Sequence, residues 1–581
     1  MRGMRHHWER IAVVGILITG ILWQCIGAWS DSQTSDEAVH LAAGYSYWTT
    51  NDHRLNPEHP PLFKLLAATP LLAVHGLNFS TTSEKWRNSD EWGMGTDLLF
   101  GSTADPMGAQ LLLFGARIPM IIVWLALGVL LWWWSRSLWG PFGGILTLGV
   151  FTFDPNYLAH GHLITNDIGM SLTFVATAFT LDRFLKAPSW KRAWIVGVIF
   201  GLAQIMKFSS VILWGLVPLI ALMHLVYRHS HMTWKWLGVL ALTIVLATPV
   251  VGWTVYGFTS GTLSSTPLIQ DALANRAHFD QDHADLLRQP PFVQTLYALT
   301  NPGTTTASII TSILNAHLPA QSYFAGLMDT ANHDFWGHGS FLWGHSGTAG
   351  WWWYFPFADL IKTPTLTTLL FLLTVGWAAW RLVRRYHWRL PLSFWTIVFP
   401  GLAFLGWAMT SHINIGIRHS FPFLIFVPLW VGSLATLPVS RKILGWGITT
   451  IVLTTGLVSL LAWPNELSYF AGWTGGTSVG YRYLLDSNFD WGQDIWRLHS
   501  YLEKHNIVSY HMSVFGYGPN PIFPGAESLL TDSDIQNGAQ PSGTIITSVG
   551  TLYDPNGPYK WLRAYHPDAV VGSTIYLYHF N

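Results

Sequence analysis

Long apolar runs alternate with polar stretches over most of the chain, and about eleven of them approach the ~20 residues a bilayer-spanning helix requires. They fall at 11–29, 111–133, 142–153, 168–185, 193–206, 211–227, 236–258, 360–380, 392–409, 417–434 and 443–463, the third and fifth being short. The basic segment 1–10 ahead of the first run has the look of a secretory signal. The run is nevertheless long enough to span, and no small-x-small cleavage site follows, so it reads as an uncleaved first span. Beyond 464 the pattern changes. Residues 493–504 read as a helix, and 509–515, 543–549 and 574–579 as strands with β-branched or alternating character. The expectation is an α-helical polytopic membrane region, 1–463, followed by a small external α/β domain, 464–581.

Charge then gives direction. Basic residues gather in every second loop: Arg2/Arg5/Arg10, Arg136, Arg183/Lys186/Lys191/Arg192, Arg228/Lys235, Arg381/Arg384/Arg385/Arg389 and Arg441/Lys442. Under the positive-inside rule these loops and the N-terminus are cytoplasmic. The large loops 30–110 and 259–350 and the C-terminus then lie outside a plasma (inner) membrane. Only 11% of residues are charged, against roughly 25% in soluble domains, and 34 Trp and 32 Phe suit a protein with many membrane–water boundaries. The net charge of +0 gives no reason to expect nucleic-acid binding, and the single cysteine, Cys25, excludes an intrachain disulfide.

Candidate chemistry collects at the external ends of the spans. In Ser35-Asp36-Glu37-Ala38-Val39-His40, the acids open a helix-like segment, 36–48. Thr34 with Glu37 also fits a capping box, so a purely structural role competes with a catalytic one. In Glu58-His59-Pro60-Pro61-Leu62-Phe63-Lys64, Pro61 suits a first helical position. The restricted backbone fixes how Glu58, His59 and Lys64 point, although Lys64 can also be read as snorkelling to the interface. Arg117, at the outer end of the second span, needs a partner, since an unpaired charge in an apolar region is costly. Pairing with Asp36 or Glu37 and binding phosphate both satisfy it. Asp167 follows Thr165, a plausible helix cap. Lys362 and Arg418 are further cations at external span ends.

These motifs resemble the C-type glycosyltransferases that use polyprenyl-phosphate sugars, a family including protein O-mannosyltransferases and lipid A aminoarabinose transferases. The runs Gly350-Trp351-Trp352-Trp353-Tyr354-Phe355-Pro356 and Asp486-Ser487-Asn488-Phe489-Asp490-Trp491 extend the resemblance nearly end to end. It implies transfer of a sugar, in the manner of a hexosyl- or mannosyltransferase, to a protein, lipid or glycan acceptor outside the membrane. The leading acid, Asp36, would be the general base, with Glu37 and Asp167 beside it. Glu58, His59, Lys64, Arg117, Lys362 and Arg418 would meet carrier phosphate or substrate. A single base acting by direct displacement would invert the anomeric carbon.

The sequence assigns no cofactor, and a divalent metal stays open. His333, His338 and His345 with Asp334 are chemically able to bind a divalent metal, but their spacing matches no standard site; Trp336 and Trp343 nearby suit sugar stacking equally well. The alternative from another class is a transporter or lipid flippase without transferase activity. That reading expects ionisable groups near mid-membrane and a repeated pattern, whereas here the charges stand at span ends.

Overall fold

The structure, a computed structural model, describes residues 2–103, 106–226, 232–384, 394–516, 522–523 and 525–581. Arg228, Arg385 and Arg389 of the basic loops lie outside the described residues, as do the ends of the expected spans at 227 and 392–393.

The chain is a multi-pass helical protein. Among the described residues, eight helices are long and apolar enough to cross a membrane: Trp8–Ser30, Pro106–Thr152, Asp167–Lys186, Phe208–Val226, Trp234–Val255, Thr365–Arg384, Ile417–Thr436 and Arg441–Ala462. The remaining expected spans also have helical counterparts. Two of them, 111–133 and 142–153, share Pro106–Thr152, which breaks at Gly140 (φ 78°, ψ −172°). Only glycine adopts that conformation freely, and Pro141 behind it opens a new helix at the cost of no amide bond. Span 193–206 is the 15-residue helix Trp190–Gln204, and 392–409 is the shorter Phe394–Ala408. The span expected at 360–380 begins later, because Thr363-Pro364 separates the short helix Tyr354–Lys362 from Thr365–Arg384.

Helix ends are pinned by specific pairs. The first span runs beside Pro106–Thr152, with Arg136 Nε 2.5 Å from Glu9 Oε1 at one end and Arg117 tied to the Ala28 and Asp31 carbonyls at the other. Trp190–Gln204 packs on Trp234–Val255 through Gly197 and Gly201. A Cβ on Gly197 would stand 2.6 Å from the Thr243 carbonyl oxygen, so this small-xxx-small face permits the close approach. The spans Asp167–Lys186 and Ile417–Thr436 are 78% buried over their apolar windows, against 17–44% for the other six. They form the centre of the bundle, and they carry Asp167 and Arg418.

The C-terminal region forms the five-stranded mixed sheet expected in part. Its spatial order is Ala526–Ser528, Tyr510–Ser513, Gly543–Ser548, Ile575–Phe580, Ala569–Val571, the first two pairings parallel and the last two antiparallel. The strands at 526–528 and 569–571 are additions to the sequence reading; at three residues each they are too short to show alternation. Helix Ile495–Lys504 covers the sheet through Ile495, Leu498 and Leu502. The sheet is anchored to the bundle, since Arg497 bridges Asp31 and Asp494. Between them, the Ser32 and Ser35 amides donate to the Gln493 and Trp491 carbonyls.

Candidate active site

The loop after the first span turns into helix Glu37–Thr50, and its two acids face opposite ways. Glu37 is fully buried. Its carboxylate accepts from the Thr34 amide (2.8 Å) and hydroxyl (3.2 Å), from the Ile164 amide (2.9 Å) and from Arg117 Nε (2.9 Å) and Nη2 (2.6 Å). Burial alone would raise its pKa, but Arg117 and these donors hold it below the usual carboxylate range. Arg117, also fully buried, donates its remaining N–H groups to the Ala28, Asp31 and Ser32 carbonyls. Of the partners left open for it, the structure selects Glu37, and neither residue reaches the cavity described below.

Asp36 stands at the helix N-cap without making a side-chain capping bond. The capping contact expected of Thr34-Ser35-Asp36-Glu37 is made by Glu37 to the Thr34 amide, which leaves the Asp36 carboxylate to face a cavity of about 520 Å³. That volume lies within the ~300–1,000 Å³ typical of ligand sites.

Arg418 is the centre of this cavity. Its Nη2 is 3.3 Å from Asp36 Oδ2, its Nη1 is 3.6 Å from Asp167 Oδ2, and its Nε donates to Ser487 Oγ at 3.2 Å. Its guanidinium lies over the Trp491 ring at 4.2 Å. Behind it, Lys207 Nζ meets Asp167 Oδ1 at 2.5 Å. The result is an alternating row, Asp36, Arg418, Asp167, Lys207, in which each charge has an opposite neighbour, as buried charges require. Asp167 is itself fully buried and lies behind the cavity wall, which Asn166 lines. Asn166, not Thr165, holds the N-cap position of that helix and makes no side-chain cap.

Glu58 and His59 also line the cavity. Burial raises the Glu58 pKa, with His333 (3.8 Å) opposing it. Burial, with His40 and Lys64 nearby, pushes His59 well below the usual histidine range, and His40 falls to about 4 mainly by burial. The His59 ring is therefore neutral at pH 7 and offers at most one N–H. Pro61 sits at the N-cap of Leu62–Ala68, one residue earlier than expected.

The other two expected lysines point elsewhere. Lys64 is buried and donates to Tyr47 Oη (3.1 Å) and to the Asn56 (2.5 Å) and His59 (2.7 Å) carbonyls, bracing the 56–59 turn from behind. Lys362 is buried, donates to the Leu467 and Asn488 carbonyls, and lies over Phe470 at 4.9 Å. Burial lowers both pKa values to about 7. Neither lines the cavity.

Helix Gln321–Trp336, from the long loop, forms the opposite wall with Thr330 and His333. His333 and His338 meet through ring nitrogens at 3.1 Å, while Asp334 accepts from Ser411 and the His412 amide. His345 stands apart on the hairpin strand His345–Gly347. Among the described residues no group of three His, Cys, Asp or Glu is arranged to hold a metal. Trp343 stacks on Phe357, and neither it nor Trp336 lines the cavity.

Lys207, Asp486 and Trp491 are site residues that the sequence reading did not assign. Lys207 carries a legible signal: a lone cation between two apolar runs, on the side opposite the basic loops. Asp486 and Trp491 come from the segment ahead of the C-terminal sheet, and burial raises the Asp486 pKa to about 6. Phe208, Phe404 and Trp407 add an apolar part to the lining, beside polar groups such as Glu91, Thr410, Ser411 and His419.

Residues 109–253 match the family model of dolichyl-phosphate-mannose-protein mannosyltransferases. The match includes Arg117, Asp167 and Lys207. It bears out the family resemblance on a part of the chain separate from the first-loop motifs. Among solved structures, the chain is similar to ArnT from Cupriavidus metallidurans in the apo state (11% identity, 97% of each chain covered, TM-score 0.31). It is also similar to the same protein bound to undecaprenyl phosphate (12% identity, 97% of each chain, TM-score 0.32). No curated protein matches the chain.

Proposed function

We propose, from a multi-pass chain matching the dolichyl-phosphate-mannose-protein mannosyltransferase family over 109–253, that this is a membrane glycosyltransferase. Its donor is a sugar on a polyprenyl-phosphate carrier, and its acceptor is a hydroxyl of a protein, lipid or glycan. The observation that carries the reading is the pairing of Asp36 and Arg418 on one cavity wall, 3.3 Å apart, beside an apolar flank suited to a lipid chain.

In this reading the Asp36 carboxylate takes the proton of the acceptor hydroxyl as its oxygen attacks the anomeric carbon. The bond to the carrier phosphate breaks, and the phosphate leaves with the electron pair. Arg418 and Lys207 meet the growing negative charge on that phosphate, an interaction stronger in the transition state than before it. The neutral His59 ring supplies a hydrogen bond, Asp167 positions both cations, and Glu58 faces the acceptor side. Glu37, Arg117, Lys64 and Lys362 act indirectly by fixing the loops that carry these groups. Displacement by one base inverts the sugar configuration. The site lies at the bundle end opposite Arg136 and Arg441, so the positive-inside rule puts it on the outer face, with the N-terminus cytoplasmic.

The test is transfer by purified protein in vesicles offered a panel of labelled polyprenyl-phosphate sugars with lipid, glycan and protein acceptors. Release of free polyprenyl phosphate that disappears in Asp36→Asn is expected. Carrier crossing the bilayer intact, with the sugar bond never broken, would replace this reading by transport.

A further inference from the structure

At the opposite end of the bundle a second cavity of about 500 Å³ opens between the first and last long helices. Trp8 and Ile16 form one wall, Trp446 and Leu453 the other, and Phe142, just beyond the Gly140 break, forms the floor. Trp8 packs on Phe142 with ring centroids 5.3 Å apart. A Cβ on Gly445 would have no neighbour nearer than 3.6 Å, so the glycine leaves the groove open.

The mouth is basic. Arg441 and Lys442 line it, both exposed, and neither makes an ion pair or side-chain hydrogen bond among the described residues. The nearby cation Arg136 is already matched by Glu9. Two unmatched cations at the end of an apolar groove, with Trp446 67% exposed between the helices, present the charge pattern of a lipid with an anionic head. From Arg441 to Leu453 the groove extends about 18 Å at ~1.5 Å per residue. That is close to one leaflet, about half of the ~30 Å hydrocarbon core. The dimensions suit an acyl chain of a leaflet glycerophospholipid better than a longer polyprenyl tail.

We infer that this groove is a binding site for one anionic glycerophospholipid, its chains between helices Trp8–Ser30 and Arg441–Ala462 and its phosphate on Arg441 and Lys442. The site is independent of the proposed transferase chemistry. Because the first and last long helices form its two walls, the lipid joins the beginning and the end of the bundle.

Full-length protein in detergent, stripped of lipid and titrated with phosphatidylglycerol or chain-matched phosphatidylcholine, tests this by native mass spectrometry. One retained phosphatidylglycerol is expected, favoured roughly thirtyfold over phosphatidylcholine, as two surface cations provide. Arg441→Ala/Lys442→Ala should bring the ratio near one, whereas the charge-preserving Arg441→Lys/Lys442→Arg keeps it. Gly445→Leu, which fills the groove and leaves the cations, should lose the retained lipid. Equal retention of the two lipids by the unaltered protein would overturn the assignment. So would an unchanged ratio in the alanine variant, or displacement of phosphatidylglycerol by equimolar polyprenyl phosphate.

Discussion

Arg418 Nη2 lies 3.3 Å from Asp36 Oδ2, joining a residue of the first loop to one almost four hundred positions later. The same guanidinium faces Asp167 on its other side. Asp36 is thereby held at the cavity wall by a cation and by no capping bond, so the chemistry proposed for it can be tested apart from any capping role.

Replacing Asp36 with Asn should lower sugar transfer by 10²–10⁴-fold, the usual range for a general base. Because the carboxylate caps nothing and Arg418 keeps Asp167 as a counter-charge, the loss of stability should be smaller than for Glu37→Ala. Transfer above about a tenth of normal would remove Asp36 from the base role and direct attention to Glu58.

The neighbouring acid should behave in reverse. Glu37→Ala leaves the buried Arg117 without its counter-charge, a change costing about 3–5 kcal/mol. Thermal unfolding of the purified variant measures it. A variant as stable as the parent would show that the pair is dispensable.

Carrier binding should separate the cations that line the cavity from those behind it. Arg418→Ala and Lys207→Met should each weaken polyprenyl phosphate binding by roughly 1.5–3 kcal/mol, the range for a charge-assisted contact. Lys64→Met should leave affinity nearly unchanged while lowering stability. Titration of the three variants decides it, and a Lys64→Met loss equal to that of Arg418→Ala would return Lys64 to the phosphate site.

Asp490 gives a pH signature. It is buried, accepts from the Gly550 amide at 2.9 Å, and burial pushes its pKa up to about 7. The folded protein thus keeps a proton that the unfolded chain has released, so this contribution is full below about 4 and is lost as pH rises through 7. Asp490→Asn imitates the protonated form. Its melting temperature relative to the parent should climb between pH 4 and 8, and a difference that is flat across that range would exclude the buried acid as the cause.

The sequence made the bundle legible because span length and loop charge are local properties, and Asp36 legible because it leads the loop after the first span. What it could not separate were Lys64, Lys362 and Arg418, three cations at similar depth. Which of them meets the cavity depends on carbonyls supplied from distant segments: Asn56 and His59 occupy Lys64, and Leu467 and Asn488 occupy Lys362. Glu37 and Asp36 pose the same problem at adjacent positions. Helical geometry turns successive side chains about 100° apart, so one falls on the Arg117 side and its neighbour on the cavity side.

Trp491, the ring under Arg418, comes from the segment that follows the last long helix. During synthesis every span is therefore made before the site has its floor. A chain stopped after residue 463 would lack Asp486, Ser487 and Trp491, three of the groups gathered around Arg418.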